Sequence, residues 1–340
     1  MQAAMRAAMQ RIAAILLLFV LLMPAPRDEP DPPLRRTSIQ FHAEALPLPS
    51  QNVVGAYGPL RLEGLWRLSS PRRAFGGISA LFVGDDGQLT GLNDSGQWAT
   101  FRLDGPPNGI MAALPRMPLL TGNLRRQNDN ESLAHDPGTG QSWAGFEVTN
   151  RICRYAPGFE RVEGCVQPAA MRNWPEQGGV ESLARLGDGR FIAIGERANA
   201  QGGGYEALLW SGDPVDPRVP EPVHMRYIAP TGYRPTDTLW LGGDRLLVLT
   251  RRMTVADWFT ARLTLVRLPK LEAGAVLKGE VIASFERPGP SDNLEALALG
   301  HEKGGPVLWI ASDDNHLVLQ RSLLFKFALP KDWVTPAPPR

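Results

Sequence analysis

The chain has 340 residues, of which 43% are hydrophobic and 21% charged, a composition typical of a globular protein. Its 36 basic and 35 acidic residues give a net charge of +1. This balance argues against the strongly basic surface that nucleic-acid binding uses, so we expect no nucleic-acid partner. The 35 glycines and 31 prolines indicate short strands joined by many turns.

The N-terminus resembles a targeting segment. Arg6 and Arg11 form a positively charged region before an unbroken apolar run at residues 12–23, which is too short for a comfortable transmembrane helix. Residues 24–26 (PAP) end the run and make a poor cleavage site. We expect residues 1–26 to be a signal peptide or, if uncleaved, an anchor in the inner membrane. The folded part is then periplasmic or secreted, after a linker at residues 27–36.

A short motif recurs along the rest of the chain. Its copies are residues 78–81 (ISAL), 130–134 (NESLA), 180–184 (VESLA), 236–240 (TDTLW) and 294–298 (LEALA). The aligned positions are 79, 131, 181, 237 and 295, so the copies are separated by 52, 50, 56 and 58 residues. A period of this size predicts an array of similar supersecondary units.

Each copy begins a similar pattern of strands and turns. An apolar strand follows the motif, then a Gly/Asp turn such as residues 187–189 (GDG), then further apolar strands. Four antiparallel strands in about 50 residues are typical of a propeller blade. We therefore predict an all-β protein, a β-propeller of five or six blades over residues 37–330, with a tail at 331–340. The N-terminal strands should complete the last blade.

The repeated acids should meet at one mouth of the propeller channel. The innermost strand of each blade lines the channel, and the end of the second strand lies beside the start of the first. We expect the rim to collect these polar residues: Asn93, Asp94, Glu131, Glu147, Asn150, Arg151, Glu181, Glu196, Arg197, Asp237, Arg251, Arg252, Glu295, Asp313, Asp314 and Asn315.

Converging carboxylates repel each other, which raises their pKa values or recruits a cation. Carboxylate oxygens suit a hard divalent ion such as Ca²⁺. The predicted metal ligands are Glu131, Glu181, Asp237 and Glu295, and catalytic roles are predicted for Glu131, Glu181 and Glu295. The alternative is that each acid only binds backbone N–H groups of the neighbouring blade and sets the spacing of the blades.

Arginines near the same rim suggest an anionic substrate. Arg126, Arg151, Arg197 and Arg252 are predicted to orient a small anionic ester, because a guanidinium binds such groups through two parallel hydrogen bonds. The alternative is a set of solvated surface arginines. The five histidines show no metal-ligand spacing, and His316 is the one we expect near the rim.

The two cysteines, Cys153 and Cys165, flank a turn-like segment at residues 156–159. They would face each other across a hairpin, and a disulfide suits an oxidising compartment. Two buried free thiols are the alternative, because cross-strand disulfide geometry is demanding.

Four segments resemble the phytase-like family of bacterial proteins, described as having esterase-like activity of phytase. They are residues 75–81 (FGGISAL), 129–134 (DNESLA), 178–184 (GGVESLA) and 292–297 (DNLEAL). The resemblance covers roughly residues 70–330. It implies a propeller with a metal site at the channel mouth and hydrolysis of a phosphoester or carboxylic ester. The chain departs from the pattern at Ser79, which replaces an acid, and at Asp237.

The leading hypothesis is thus an exported, monomeric, metal-dependent hydrolase. Two alternatives remain open. A non-catalytic propeller would use its rim to bind a ligand, sugar or protein, because a fold alone does not determine a function. A gluconolactonase-like enzyme would hydrolyse a sugar lactone.

Overall fold

A computed structural model describes residues 35–50, 53, 55–72, 74–115 and 129–335. The predicted signal peptide and most of the linker lie outside the described residues, as does Arg126. The predicted domain limits stay predictions. Within the described ranges, no helix has the length and apolar character needed to cross a membrane.

The described residues form short β-strands with brief 3-10 helices at Gly55–Tyr57, Pro157–Phe159, Ala169–Met171 and Lys331–Trp333. The strands, in chain order, are β1 (Thr37–Gln40), β2 (His42–Ala45), β3 (Arg61–Ser69), β4 (Ile78–Val83), β5 (Leu89–Asn93), β6 (Gln97–Phe101), β7 (Asn108–Ala113), β8 (Asn130–His135), β9 (Ser142–Phe146), β10 (Arg151–Tyr155), β11 (Val162–Val166), β12 (Ser182–Arg185), β13 (Phe191–Asn199), β14 (Tyr205–Trp210), β15 (Val223–Ile228), β16 (Arg234–Gly242), β17 (Arg245–Thr254), β18 (Trp258–Arg267), β19 (Val276–Phe285), β20 (Leu294–Glu302), β21 (Gly305–Ser312) and β22 (Ser322–Ala328).

The strands form antiparallel meanders in chain order. One sheet has the order β1-β7-β6-β5-β4, and a second has β11-β10-β9-β8. A sheet of eight strands consists of β12–β15 and β16–β19, joined through a parallel pairing of the outer strands β15 and β19. In the last sheet, β3 pairs with β22, so an N-terminal strand completes the C-terminal sheet as expected. Strand β1 instead extends the first sheet.

The innermost strands surround a common axis. Strand β4 contacts β8, β8 contacts β12, β12 contacts β16, β16 contacts β20, and β20 contacts β4. This closed ring confirms the predicted all-β propeller. The number of blades stays a prediction, and the five inner strands of the described chain favour five.

Apolar side chains fill the spaces between neighbouring sheets. Phe285 on β19 packs against Phe325 on β22, with ring centroids 5.8 Å apart. Tyr57, at the end of the first 3-10 helix, also packs against Phe285, with ring centroids 5.3 Å apart. Each fully buried aromatic side chain contributes about 1.5–3 kcal/mol by leaving water. The sheets therefore hold the inner strands in fixed positions around the axis.

Cys153 on β10 and Cys165 on β11 are direct cross-strand partners. They form a disulfide with the Cα atoms 4.0 Å apart, so neither cysteine is free. The bond ties together the two outer strands of one sheet.

Candidate metal and catalytic site

The inner strands carry a one-residue bulge near their start. In β8, Asn130 lies opposite Phe146 and Ser132 lies opposite Gly145, which leaves Glu131 unpaired. The same shift in β20 leaves Glu295 unpaired. A bulge redirects a side chain that a regular strand would place in its alternating pattern. The bulge also occurs at Ser79 in β4 and at Thr236 in β16, so it marks the first position of the repeat.

The strand pairings define two sets of equivalent rim positions. The first set, at the start of the inner strands, is Ser79, Glu131, Glu181, Thr236 and Glu295. The second set, at the end of each second strand, is Asp94, Glu147, Glu196, Arg251 and Asp313. These two sets therefore combine seven acids with one arginine, and the blade that starts with β16 differs from the others because it contributes Thr236 and Arg251.

Three carboxylates on one side of the rim form a candidate metal centre. Oxygen atoms of Asp129, Glu131 and Glu147 all lie within 4.8 Å of one another, and all three residues are half-buried. Burial and the charges of Glu147 and Asp94 raise the pKa of Asp129 to about 7. Burial, followed by the charges of Glu181 and other acids, raises the pKa of Glu131 well above its usual value. A bound cation would offset the mutual repulsion of these carboxylates.

The amide of Asn130 is adjacent in sequence to this centre. Its nitrogen donates to the carbonyl of Gly145 at 2.9 Å. Its oxygen is buried and has no hydrogen-bond partner in the described residues. A buried unsatisfied acceptor is unusual and often indicates a missing water or ion.

Arg251 is the counter-charge on the other side of the rim. Its guanidinium lies 2.7 Å from Glu295 and 3.2 Å from Glu196, and it also donates to Asn293. Burial alone would lower the pKa of Arg251, but the charges of Glu295 and Glu196 raise it, so the side chain stays charged. Sequence reasoning placed Arg251 at the rim but selected Arg252 for the substrate.

Glu181 is buried beside these groups. Burial and the charge of Glu196 raise the pKa of Glu181 well above its usual value. In the described part of the chain its side chain makes no hydrogen bond or ion pair, unlike the side chain of Glu295, which accepts from Asn293 at 2.9 Å and pairs with Arg251. Glu131, Glu181 and Glu295 influence one another electrostatically, so the structure brings the three predicted catalytic residues together.

Asp237 occupies a different position from these glutamates. The bulge of β16 falls at Thr236, so Asp237 stands one residue later along its strand. One carboxylate oxygen accepts from the N–H of Thr238 at 2.7 Å and the other from Leu297 on the next inner strand at 2.6 Å. Asp237 thus links two inner strands, which agrees with the alternative that an acid of the repeat binds backbone N–H groups of the neighbouring blade. Its role as a metal ligand stays a prediction without support from this geometry.

The predicted substrate-binding arginines have diverse surroundings. Arg197 donates to Glu196 at 3.1 Å and remains 45% exposed at the rim. Arg151 begins β10 and is half-buried. Arg252 lies over the ring of Tyr233, 4.9 Å from its centroid, and pairs with Asp257. Arg197 therefore has an exposed side chain at the rim, and the roles of the four arginines stay predictions.

His316 lies at the rim near Asp94. Its Nε2 atom is 4.0 Å from a carboxylate oxygen of Asp94, and its backbone N–H donates to Asp314 at 3.0 Å. Gly77 has a φ of +62°, and a Cβ atom there would lie 3.2 Å from His316 Nε2. The positive φ favours glycine at this position, and the close approach leaves little room for a side chain beside His316.

The fold and the acidic rim define a propeller with a charged channel mouth. The profile of the phytase-like family, described as "Esterase-like activity of phytase", matches residues 73–316. The chain belongs to this family.

Similarities to solved structures are remote. The WD40 β-propeller domain of Doa1 is 12% identical, with a TM-score of 0.40, over 82% of this chain and all of that domain. The major allergen Mala s 1 of Malassezia sympodialis is 11% identical, with a TM-score of 0.42, over 89% of this chain and 97% of the allergen. Hydrazine synthase of Kuenenia stuttgartiensis is 10% identical, with a TM-score of 0.37, over 70% of this chain, which spans 56% of the synthase chain. No curated protein sequence matches this chain.

Proposed function

We propose that the protein is an exported hydrolase that cleaves a phosphoester or carboxylic ester at the acidic rim with a divalent cation, for which Ca²⁺ is the best candidate. The observation that carries the proposal is the cluster of Asp129, Glu131 and Glu147. Two oxygens bound to one Ca²⁺ ion lie at most about 5 Å apart. The 4.8 Å limit on the separations within the cluster is compatible with that distance.

The donor set also suits such an ion. All three groups are carboxylates, which select hard cations over soft ones. A bound divalent cation supplies Lewis-acid chemistry at the ester oxygen and makes a water molecule more acidic. The remaining chemistry depends on side chains of this chain.

Glu181 is the proposed proton donor. Because its pKa is raised by burial and by Glu196, Glu181 holds a proton more readily than an ordinary glutamate and can donate it to the leaving oxygen. Arg251 holds the carboxylate of Glu295 in place, because it pairs with that residue at 2.7 Å. Arg197, which is partly exposed beside Glu196, is placed to bind the anionic part of the substrate.

The proposed export is supported by two independent features. Residues 1–26 have the charge and apolar run of a signal peptide. The disulfide between Cys153 and Cys165 suits an oxidising compartment.

A chelator-controlled assay tests the enzymatic proposal. Turnover of p-nitrophenyl phosphate and p-nitrophenyl acetate is measured with Ca²⁺ and with EDTA, for the unaltered protein, Glu181→Gln and Glu280→Gln. Glu280 is an exposed glutamate on β19 and serves as the matched control. We expect EDTA to abolish turnover and Glu181→Gln to lower kcat by about 100-fold or more, because it removes a proton donor. The proposal fails if neither ester is turned over, or if Glu181→Gln behaves like Glu280→Gln.

A non-catalytic binding module is the second candidate. The observation that favours it is that some rim acids serve the backbone: Asp313 accepts from the N–H of Asn315 at 2.6 Å, and Asp314 accepts from Gly77 at 3.0 Å. A protein that binds Ca²⁺ without hydrolysing any ester would favour this candidate. Adding sugar lactones to the same assay separates the gluconolactonase-like alternative from a phosphatase or esterase.

A further inference from the structure

A cavity lies at the opposite ends of the inner strands from the acidic rim. Its volume is about 450 Å³, and its lining includes residues from β4, β8, β12, β16 and β20. Pockets that bind small molecules typically enclose about 300–1,000 Å³. The cavity therefore has the size of a ligand site, and the acids of the rim are not part of its lining.

Equivalent positions of the inner strands line the cavity in two layers. The layer nearer the rim is Leu81, Leu133, Leu183, Thr238 and Leu297. The layer farther from the rim is Val83, His135, Arg185, Trp240 and Leu299. The first layer is apolar except for one threonine, and the second has polar groups on three adjacent inner strands.

Thr238 is an exception that points to a ligand. The bulge of β16 shifts Leu239 by one residue and leaves Thr238 at the position where the other four strands carry leucine. Thr238 is only 4% exposed, and its hydroxyl has no hydrogen-bond partner among the described residues. A buried hydroxyl without a partner is unfavourable, and a ligand oxygen would satisfy it.

The buried charged groups of the cavity pair with each other, while Asp85, which also lines the cavity, is exposed to solvent. Arg185 lies 3.3 Å from Asp136, and both side chains are largely buried. His135 stacks on Phe82 with ring centroids 4.0 Å apart, and its Nδ1 atom is hydrogen-bonded to Ser142. Burial lowers the pKa of His135, which favours the neutral ring. A neutral ligand thus suits the cavity better than an ion.

The walls offer flat apolar surfaces. The ring of Trp240 packs against the backbone of Gly187, where any side chain would collide with it. Its Nε1 atom donates to the carbonyl of Gly243 at 3.1 Å, which fixes the plane of the ring. Phe82 and the leucines of the layer nearer the rim continue this apolar surface.

We propose that this cavity binds a neutral molecule with a flat apolar body and one hydroxyl or carbonyl group, independently of the acidic rim. The hydroxyl or carbonyl pairs with Thr238, and the apolar body lies between the leucine layer and the aromatic walls. This site is separate from the proposed hydrolytic site and does not depend on it.

Binding of N-phenyl-1-naphthylamine, a neutral fluorescent probe, tests the site. We expect saturable binding of one molecule per chain and at least a tenfold loss of affinity in Leu299→Trp, which fills the cavity. Val255→Trp, at a fully exposed turn residue, is the matched control and should bind as the unaltered protein does. Glu131→Gln at the rim should also leave binding unchanged. Circular dichroism and melting curves confirm that each variant is folded.

Competition with a matched pair of ligands tests the role of Thr238. Thr238→Val should weaken displacement of the probe by 1-naphthol about fivefold, because one hydrogen bond is lost, and leave displacement by naphthalene unchanged. The proposal is wrong if the probe shows no saturable binding, if Leu299→Trp binds like Val255→Trp, or if Glu131→Gln abolishes binding. Equal effects of Thr238→Val on both competitors would contradict the pairing with Thr238. If the probe bound to a chain shortened to end at Thr335 but not to the full chain, residues 336–340 would be the occupant of the cavity and the proposal would be wrong.

Discussion

Replacing Arg251 by methionine is expected to lower the free energy of unfolding by about 3–5 kcal/mol, because it removes one partner of a buried charge network. The variant leaves the buried carboxylates of Glu196 and Glu295 without the cation that lies 3.2 and 2.7 Å from them. Urea denaturation at neutral pH measures the loss. Arg197→Met is the matched control, since Arg197 also pairs with Glu196 but is 45% exposed, and its loss should cost about 1 kcal/mol or less.

The loss in Arg251→Met should shrink as the pH falls. Burial raises the pKa of Glu295 and the charge of Arg251 opposes this rise, so without Arg251 the folded protein binds a proton at Glu295 more readily than the unfolded chain does. Stability is then regained on acidification. Equal losses in Arg251→Met and Arg197→Met would show that Arg251 is not the counter-charge of the rim.

Without a divalent ion, the rim carboxylates are expected to make the protein melt at a higher temperature at about pH 5 than at about pH 8. The pKa of Asp129 is raised from 3.8 to about 7 in the folded protein. A carboxyl with a raised folded pKa favours the folded state below its unfolded pKa, and this stability is lost as the pH rises towards 7. Glu131 and Glu181, whose pKa values are also raised, act in the same direction.

Calcium ions should oppose this loss. Millimolar CaCl₂ is expected to raise the melting temperature more at about pH 8 than at about pH 5, because only ionised carboxylates bind the ion and binding stabilises the folded state. Differential scanning calorimetry with EDTA or CaCl₂ measures both effects. Asp129→Asn should reduce the pH dependence in EDTA. The same melting temperatures with and without CaCl₂ at both pH values would contradict a calcium site.

The propeller was predictable from sequence because its signals are local. Each inner strand repeats one short pattern, and each hairpin carries its own Gly/Asp turn, so neither needs knowledge of distant contacts. Convergence of Glu131, Glu181 and Glu295 followed from the same repeat. The pairing of Cys153 with Cys165 depended on the register of two adjacent strands, which the sequence left open.

The details of the rim depended on features that a repeat pattern does not contain. A bulge changes which face a residue occupies without changing the sequence motif, so Asp237 was aligned with the glutamates although Thr236 is their equivalent. Neighbouring residues of a strand point to opposite faces, and only the pairing of Arg251 with Arg234 shows which arginine lies at the rim. Asp129 belongs to the segment at residues 129–134 that resembles the family. Its proximity to Glu147 becomes visible only in the folded hairpin.

Asp129, Glu131 and Glu147 are proposed to bind a divalent cation. Isothermal titration of the ion-free protein with CaCl₂, in two buffers of different ionisation heat, tests this binding most directly. We predict one ion per chain, proton release from the raised-pKa carboxyls, and at least a hundredfold weaker binding in Glu131→Gln than in Glu280→Gln. No binding by the unaltered protein, or equal binding by the two variants, would contradict the claim.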